Sequence, residues 1–127
     1  MNAAVIGLGS NIHAKENIQK AKEALARENK ILTESRFITT KPVGILDQAD
    51  FLNGAVLIST SMTAQELKSR LKKIEKGLGK ENGRKQFGPR TIDLDILVWN
   101  SKVVNPDFFE REFIRRSVLE LLPDLEY

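Results

Sequence analysis

Residues 91–98 have the sequence TIDLDILV, in which polar and apolar side chains alternate over the first six positions. Successive side chains of a β-strand point to opposite faces of its sheet, so the pattern predicts a strand with one buried face. The side chains expected to enter the core are those of Ile92, Leu94, Ile96 and Val98. Thr91, Asp93 and Asp95 are expected on the opposite face, with the two carboxylates about 7 Å apart. Aspartate is disfavoured in strands, so two of them on one face require a compensating partner.

The segments around this strand predict alternating strands and helices. Further strands are expected at 3–9, 31–40 and 51–59, with a short one at 102–104. Helices are expected at 14–28, capped by Ser10 or Asn11, at 63–78, where Thr63 and Glu66 form a capping box, and at 113–122. The order βαββαβ favours an α+β, ferredoxin-like sandwich, in which an antiparallel sheet has helices packed on one face and a short C-terminal helix follows. The other face is expected to be free for a ligand, and residues 1–127 to form one domain.

The composition excludes several classes of function. The 127 residues include no cysteine and one histidine, which argues against a disulfide framework, a metal–thiolate site, a cysteine nucleophile and a Ser–His–Asp triad. The apolar runs are shorter than the ~18 residues of a membrane span, and the N-terminus lacks the basic region of a secretory signal. We therefore expect a cytoplasmic protein without membrane contact. Its net charge of +3 suits a phosphorylated ligand.

Asp93 and Asp95 are candidates for binding a hard divalent cation such as Mg²⁺, which takes carboxylate and phosphate oxygens. Arg90 directly precedes the predicted strand and offers a guanidinium fork for phosphate oxygens, and the loop before it is basic through Lys80 and Arg84. The alternative interpretation is two ordinary solvent-facing acids on an edge strand, one of them paired with Arg90.

Phe51 and Asn53 open the third strand at alternate positions and are expected on the same face. An aromatic ring and an amide placed in this way could stack on a flat heterocycle and bind its edge. Alternatively, Phe51 belongs to the core and Asn53 caps the strand end. His13 is expected to be exposed at the start of the first helix, and Trp99 to contribute packing.

Four segments together resemble one family: GLGSN at 7–11, TKPVG at 40–44, DQADFLN at 47–53 and, most specifically, FGPRTIDLDIL at 87–97. They are similar to segments of 6-hydroxymethyl-7,8-dihydropterin pyrophosphokinase, a folate-pathway enzyme with a ferredoxin-like fold. The resemblance implies that ATP donates its β,γ-pyrophosphoryl group to the hydroxymethyl oxygen of the pterin and that AMP is released.

The resemblance also implies roles for individual residues. Asp93 and Asp95 would hold two Mg²⁺ ions, Arg90 would neutralise phosphate oxygens, and Lys80 or Arg84 would assist. The residues implied on the nucleotide side are Glu75, Lys72, Ile96 and Arg111. Those implied on the pterin side are Thr40, Lys41, Val43, Phe51, Asn53, Phe87 and Phe113. Within the second group, Phe51 and Phe113 would sandwich the ring and Asn53 would bind its edge.

The segment at 103–111 departs from the family pattern. Relatives usually have a longer stretch here, with a histidine and a tyrosine that touch the nucleotide. One alternative is therefore a pterin-binding or related phosphotransfer protein with altered or lost ATP chemistry. Another is a ferredoxin-like module that binds single-stranded RNA, although two aspartates on the open face would repel phosphates. We expect small-molecule substrates and no nucleic acid as partners, and the sequence does not predict the oligomeric state.

Overall fold

The computed structural model describes residues 1–41, 49–79 and 91–127. The strands are β1 (Asn2–Ser10), β2 (Lys30–Glu34), β3 (Ile38–Thr40), β4 (Phe51–Thr60), β5 (Asp93–Trp99) and β6 (Lys102–Val103). The helices are α1 (Ala14–Ala26), α2 (Ala64–Gly79), α3 (Asp107–Glu110) and α4 (Glu112–Leu121). The strands form one sheet in the order β2-β4-β1-β5-β6, in which β3 also pairs with β4 and every pairing is antiparallel. The predicted α+β, ferredoxin-like fold class is confirmed.

Helices α1 and α2 cover one face of the sheet. Alternate side chains of β1 enter the core there, and the apolar stripes of the two helices pack on them. This first core comprises Ala4, Ile6, Leu8, Ile18, Ala21, Leu25, Val56, Ile58, Leu67, Leu71, Ile92 and Leu94. The predicted capping box of α2 is confirmed, because the Thr63 N–H donates to Glu66 Oε1 at 2.9 Å and the Glu66 N–H donates to Thr63 Oγ1 at 3.1 Å.

The opposite face is only partly open. A second core joins this face of the central strands to α3 and α4 through Val5, Ala55, Leu97, Val98, Phe108 and Val118. The sequence predicted a single helix at 113–122 and a sheet face with no helix packed on it. Instead, a short helix precedes it, and α4 packs across part of the sheet.

A β-bulge in β5 corrects the predicted alternation. Ile6 pairs with Ile96 and Val5 pairs with Val98, so Leu97 is the extra residue. Val98 therefore packs in the second core, and the prediction that it faces the α1–α2 side is wrong. Thr91 precedes the strand and is buried, and its carbonyl accepts a hydrogen bond from Ser10 Oγ at 2.5 Å.

The predicted strand at 31–40 is divided into β2 and β3 by residues 35–37. Ser35 Oγ accepts the Ala55 N–H at 2.8 Å, so a side chain replaces a backbone partner at this point of the sheet. The predicted cap of α1 is also wrong: Ser10 ends β1, Asn11 Nδ2 donates to the carbonyl of Ala49, and the exposed His13 occupies the N-cap position without a side-chain hydrogen bond. Within the described ranges, no helix has the length and apolarity needed to cross a bilayer.

Candidate active site

Two glycines of β1 lie at the centre of the open part of the sheet. Gly7 is paired with Asp95 and Gly9 with Asp93 on one side, while Gly9 is paired with Asn53 of β4 on the other. Because glycine has no side chain, the two carboxylates and the amide border a floor of bare backbone. This floor leaves room for a ligand to approach the sheet closely.

A cavity of about 970 Å³ lies over this floor and continues past the outer edge of β5 to α2 and the 104–117 segment. Its volume lies within the range of about 300–1,000 Å³ that is typical of pockets for small-molecule ligands. All the predicted site residues within the described ranges line this cavity: Thr40, Lys41, Phe51, Asn53, Lys72, Glu75, Asp93, Asp95, Ile96, Arg111 and Phe113. The other predicted residues lie outside the described ranges: Val43, Lys80, Arg84, Phe87 and Arg90.

The carboxylate side of the cavity is formed by β5 and α2. Asp95 is exposed and Asp93 half-buried, both on the cavity face of the strand. Glu75, on α2, accepts the backbone N–H of Leu94 at 2.7 Å through Oε2. In the described part of the chain, no group of three or more His, Asp or Glu side chains is arranged as a metal site.

The amide side of the cavity is formed by β3 and β4. Asn53 Nδ2 donates to Thr40 Oγ1 at 2.5 Å, which fixes the amide between the two strands. Its Oδ1 lies over Gly9 so closely that a Cβ at this glycine would overlap with it. Phe51 is half-buried next to this pair, and Lys41 forms an exposed ion pair with Asp50 at 3.6 Å. Phe51 therefore does not belong wholly to the core, and Asn53 does more than cap the strand end.

The remaining wall comes from α2 and from the C-terminal helices. Lys72 is exposed on α2, and Arg111 forms an ion pair with Asp107 at 3.8 Å across the junction of α3 and α4. Sequence reasoning missed several lining residues, among them Gln65, Lys68, Trp99, Val104 and Asn105. Helical spacing would have found Lys68 and Gln65, which lie four and seven residues before Lys72 on the same face. Trp99 packs against the first core, as predicted, and also lines the cavity.

The sequence pattern of the 7,8-dihydro-6-hydroxymethylpterin-pyrophosphokinase family matches residues 5–123. The chain belongs to this family. It is 37% identical to a 2-amino-4-hydroxy-6-hydroxymethyldihydropteridine pyrophosphokinase of Bacillus subtilis, over 98% of this chain and 81% of the relative. A protein of Haemophilus influenzae with the same name is 32% identical over 98% of this chain and 84% of its own length. A folate synthesis bifunctional protein of Arabidopsis thaliana is 35% identical over 93% of this chain, which corresponds to 26% of that longer protein.

Family membership identifies the class of enzyme. The chain is a pyrophosphokinase of folate biosynthesis, which transfers pyrophosphate to hydroxymethyldihydropterin, and the family uses ATP as co-substrate. The alignment with the Bacillus relative runs over 136 positions, more than the 127 residues of this chain. The relative therefore carries positions inside the matched region that this chain lacks.

Proposed function

We propose that this pyrophosphokinase works with magnesium, and that Asp93 and Asp95 are the protein ligands of two Mg²⁺ ions. The observation that carries the proposal is the sheet register: each aspartate is paired with a glycine of β1, and all four residues line the cavity. Two hard oxygen donors that line a cavity fit Mg²⁺, which commonly binds through one or two carboxylates together with substrate phosphates. Magnesium bound there would neutralise charge on the transferring phosphate oxygens.

The amide side of the cavity would hold the pterin. Asn53 would bind the polar edge of the ring, since its amide both donates and accepts hydrogen bonds and is fixed by Thr40. Phe51 and Phe113, which line the cavity from β4 and α4, would stack on the ring. Lys41 and the backbone near Thr40 and Val43 complete the proposed pterin side, and Val43 lies outside the described residues.

The nucleotide would extend over the edge of β5 towards α2. Glu75, Lys72, Ile96 and Arg111 line this part of the cavity. We also propose that Arg90, with Lys80 or Arg84, acts on the triphosphate and that Phe87 lies over the bound substrate. These four residues lie outside the described residues.

In the proposed reaction, the hydroxymethyl oxygen of the pterin attacks the β-phosphorus of ATP. The bond between this phosphorus and the α,β-bridging oxygen breaks, AMP leaves, and the hydroxyl proton is lost to solvent. The chain itself would provide orientation: Asn53 would hold the pterin, and the two strand carboxylates would hold the magnesium that neutralises the triphosphate. Phosphoryl-type transfer depends mainly on positioning and charge neutralisation, so a strong protein base is not required.

The deciding experiment measures AMP release from ATP and Mg²⁺, with and without 6-hydroxymethyl-7,8-dihydropterin. We expect AMP only when both the pterin and Mg²⁺ are present. Pterin binding without AMP would favour the alternative of altered or lost ATP chemistry, and the short segment at 104–111 would be the first region to examine. Activity that persists after removal of divalent cations would contradict the magnesium proposal.

The remaining proposals concern the context of the reaction. We propose that residues 1–127 form one catalytic domain, that the enzyme acts in the cytoplasm, and that its partners are its small-molecule substrates and not nucleic acid. Size-exclusion chromatography with light scattering would give the oligomeric state.

A further inference from the structure

The carboxylate of Glu75 is hydrogen-bonded to the backbone of β5, the strand that carries Asp93 and Asp95. Its Oε2 accepts the backbone N–H of Leu94, the residue between Asp93 and Asp95, at 2.7 Å. The side-chain oxygen thus satisfies a backbone N–H that would otherwise need a partner from the sheet or from solvent. The bond crosses from α2 to β5 over 19 residues of sequence, so it joins two elements and is not a local turn.

The position of this bond on the sheet gives it a particular consequence. In the described part of the chain, β6 pairs with β5 only at Val98 and Trp99, and the Leu97 carbonyl accepts the Val104 N–H at 3.0 Å. From 93 to 96, therefore, the side of β5 away from β1 has no strand partner among the described residues. An interior strand has ladder hydrogen bonds on both sides, whereas the outer side of an edge leaves backbone N–H and C=O groups without a strand partner. Glu75 provides a partner for the Leu94 amide on that unpaired side.

The two carboxylates project from the residues on either side of the anchored amide. Leu94 points into the first core, while Asp93 and Asp95 point into the cavity. The bond fixes the peptide plane between Asp93 and Leu94. It thereby restrains the backbone from which the Asp93 side chain, and one residue further the Asp95 side chain, leave the strand. Outer groups that orient the ligands of a metal typically change its affinity 10- to 100-fold when they are removed.

We propose that Glu75 is a positioning residue, which holds the Asp93–Asp95 segment in a metal-binding arrangement through the Leu94 amide. The inference rests on the proposed magnesium role of the two aspartates. It differs from a role as nucleotide ligand, because the property that matters is a hydrogen-bond acceptor directed at the strand and not the negative charge itself.

Two substitutions separate these roles. Glu75→Gln keeps a carbonyl acceptor at the same reach, whereas Glu75→Met has similar length and good helix propensity but no comparable acceptor. Glu66→Ala is a matched control on the same helix, since Glu66 also accepts a backbone N–H, that of Thr63, and is not among the cavity-lining residues.

The first measurement is amide hydrogen exchange of Leu94 by NMR, which requires neither metal nor turnover. We expect faster exchange at Leu94 in Glu75→Met, and protection in Glu75→Gln close to that of the wild type. Unchanged protection of Leu94 in Glu75→Met would show that the anchor is not formed in solution and would overturn the proposal.

The second measurement is Mn²⁺ binding, followed by electron paramagnetic resonance in the presence of a non-hydrolysable ATP analogue. Glu75→Met is expected to bind Mn²⁺ roughly 10- to 100-fold more weakly, and Glu75→Gln and Glu66→Ala to remain near the wild type. Equal affinity in Glu75→Met and the wild type would overturn the inference. An equally large loss of Mn²⁺ affinity in Glu75→Gln would also overturn it, because it would show that the negative charge of Glu75 is what matters. If Glu75→Met does not fold, the affinity of Glu75→Gln alone tests the inference. Wild-type protein that binds no Mn²⁺ would instead contradict the proposed magnesium site, so the two failures are distinguishable.

Discussion

The two faces of the sheet are built on different principles. On the face covered by α1 and α2, alternate positions of β1 and β4 carry apolar side chains that are almost completely buried, such as Ile6 and Ile58. On the other face, apolar packing under α4 gives way to a region where the β1 positions that face outwards are Gly7 and Gly9, which have no side chains. The first face therefore stabilises the fold. The second face buries less apolar surface and leaves an open region lined by Asn53, Asp93 and Asp95.

The division between a stabilising face and a substrate-binding face can be tested by substitution. If the division is real, substitutions on the open part of the second face should change activity with little change in stability, and those on the first face should do the opposite.

Asp95→Ala is expected to have the largest effect on activity. We predict a loss of about a thousandfold or more in kcat, because the proposed charge neutralisation of the triphosphate depends on this carboxylate. The melting temperature should change little, since Asp95 is exposed and faces the cavity. Pterin-dependent AMP formation and thermal unfolding measure the two quantities.

Asp124→Ala is the control for Asp95→Ala, because it removes an exposed carboxylate that is not among the cavity-lining residues. It should leave both activity and melting temperature near the wild-type values. A fully active Asp95→Ala protein would refute the metal role of this face.

Leu25→Ala tests the first face. Leu25 is fully buried in the core between α1 and the sheet, so the substitution should lower the free energy of unfolding by about 3 kcal/mol. The folded fraction should keep its kcat at 25 °C, because Leu25 does not line the cavity. Urea denaturation followed by circular dichroism measures the stability.

Leu32→Ala gives the matched comparison for Leu25→Ala, since Leu32 is 48% exposed in β2. It should change the free energy of unfolding by less than about 0.5 kcal/mol. A large drop in kcat for the folded Leu25→Ala protein would break the proposed division between the two faces.

Gly9→Ala tests the floor of the cavity. A methyl group here would overlap with Asn53 Oδ1, and Asn53 cannot move freely because it is bonded to Thr40. We expect pterin affinity to fall roughly 10- to 100-fold, as after misplacement of a specific polar contact. ATP affinity should change less, because the nearest atoms to the added carbon belong to Asn53 and Leu52 and not to Asp93. Titration calorimetry with each substrate measures both affinities.

Gly77→Ala is the control glycine. It lies within α2, and an added Cβ would meet nothing within 4 Å. The substitution should stabilise the protein by roughly 0.5–1 kcal/mol through helix propensity, without changing pterin affinity. Asn53→Ala should in turn reproduce the selective loss of Gly9→Ala, and equal losses of pterin and ATP affinity would mean that this side of the cavity is wrongly assigned.

The same division explains how much of the molecule could be predicted from the sequence. On the α1–α2 face, burial alone decides the pattern. The strand around Leu94 and the stripe of α2 could therefore be identified from periodicity, and the strand around Ile6 from its short apolar run. The bulge at Leu97 could not, because it depends on the pairing of β5 with β1, and no local signal at 97 distinguishes it. The break at Ser35 likewise depends on a side chain that bonds to Ala55, twenty residues away.

The candidate site shows a similar limit. Alternation places Asp93 and Asp95 on one face and Phe51 and Asn53 on one face of another strand, and the position of Arg90 before the strand suggests phosphate binding. The resemblance to a family supplied the remaining site residues and the specific roles. The pairing of Gly9 with both Asn53 and Asp93 is a property of the sheet register and required the structure. The same holds for Glu75, whose bond to the Leu94 amide follows from the packing of α2 on β5.

The smallest expected effect concerns the capping box of α2, the helix that carries Lys72 and Glu75. Thr63→Ala removes the hydroxyl that accepts the Glu66 N–H and should cost about 1 kcal/mol of stability, with activity unchanged.

Hydrogen bonds from the backbone N–H and then the side chain of Thr63 lower the pKa of Glu66 below its ordinary value of 4.5. A carboxyl whose pKa is lower in the folded than in the unfolded protein stabilises the fold above its unfolded pKa, and this contribution is lost as the pH falls through the folded pKa. The stability difference between wild type and Glu66→Ala, measured by urea denaturation, should therefore be constant from pH 7 to about 5.5 and shrink below pH 4.5. A difference that persisted unchanged to pH 2.5 would show that Glu66 acts through packing and not through its ionised carboxylate.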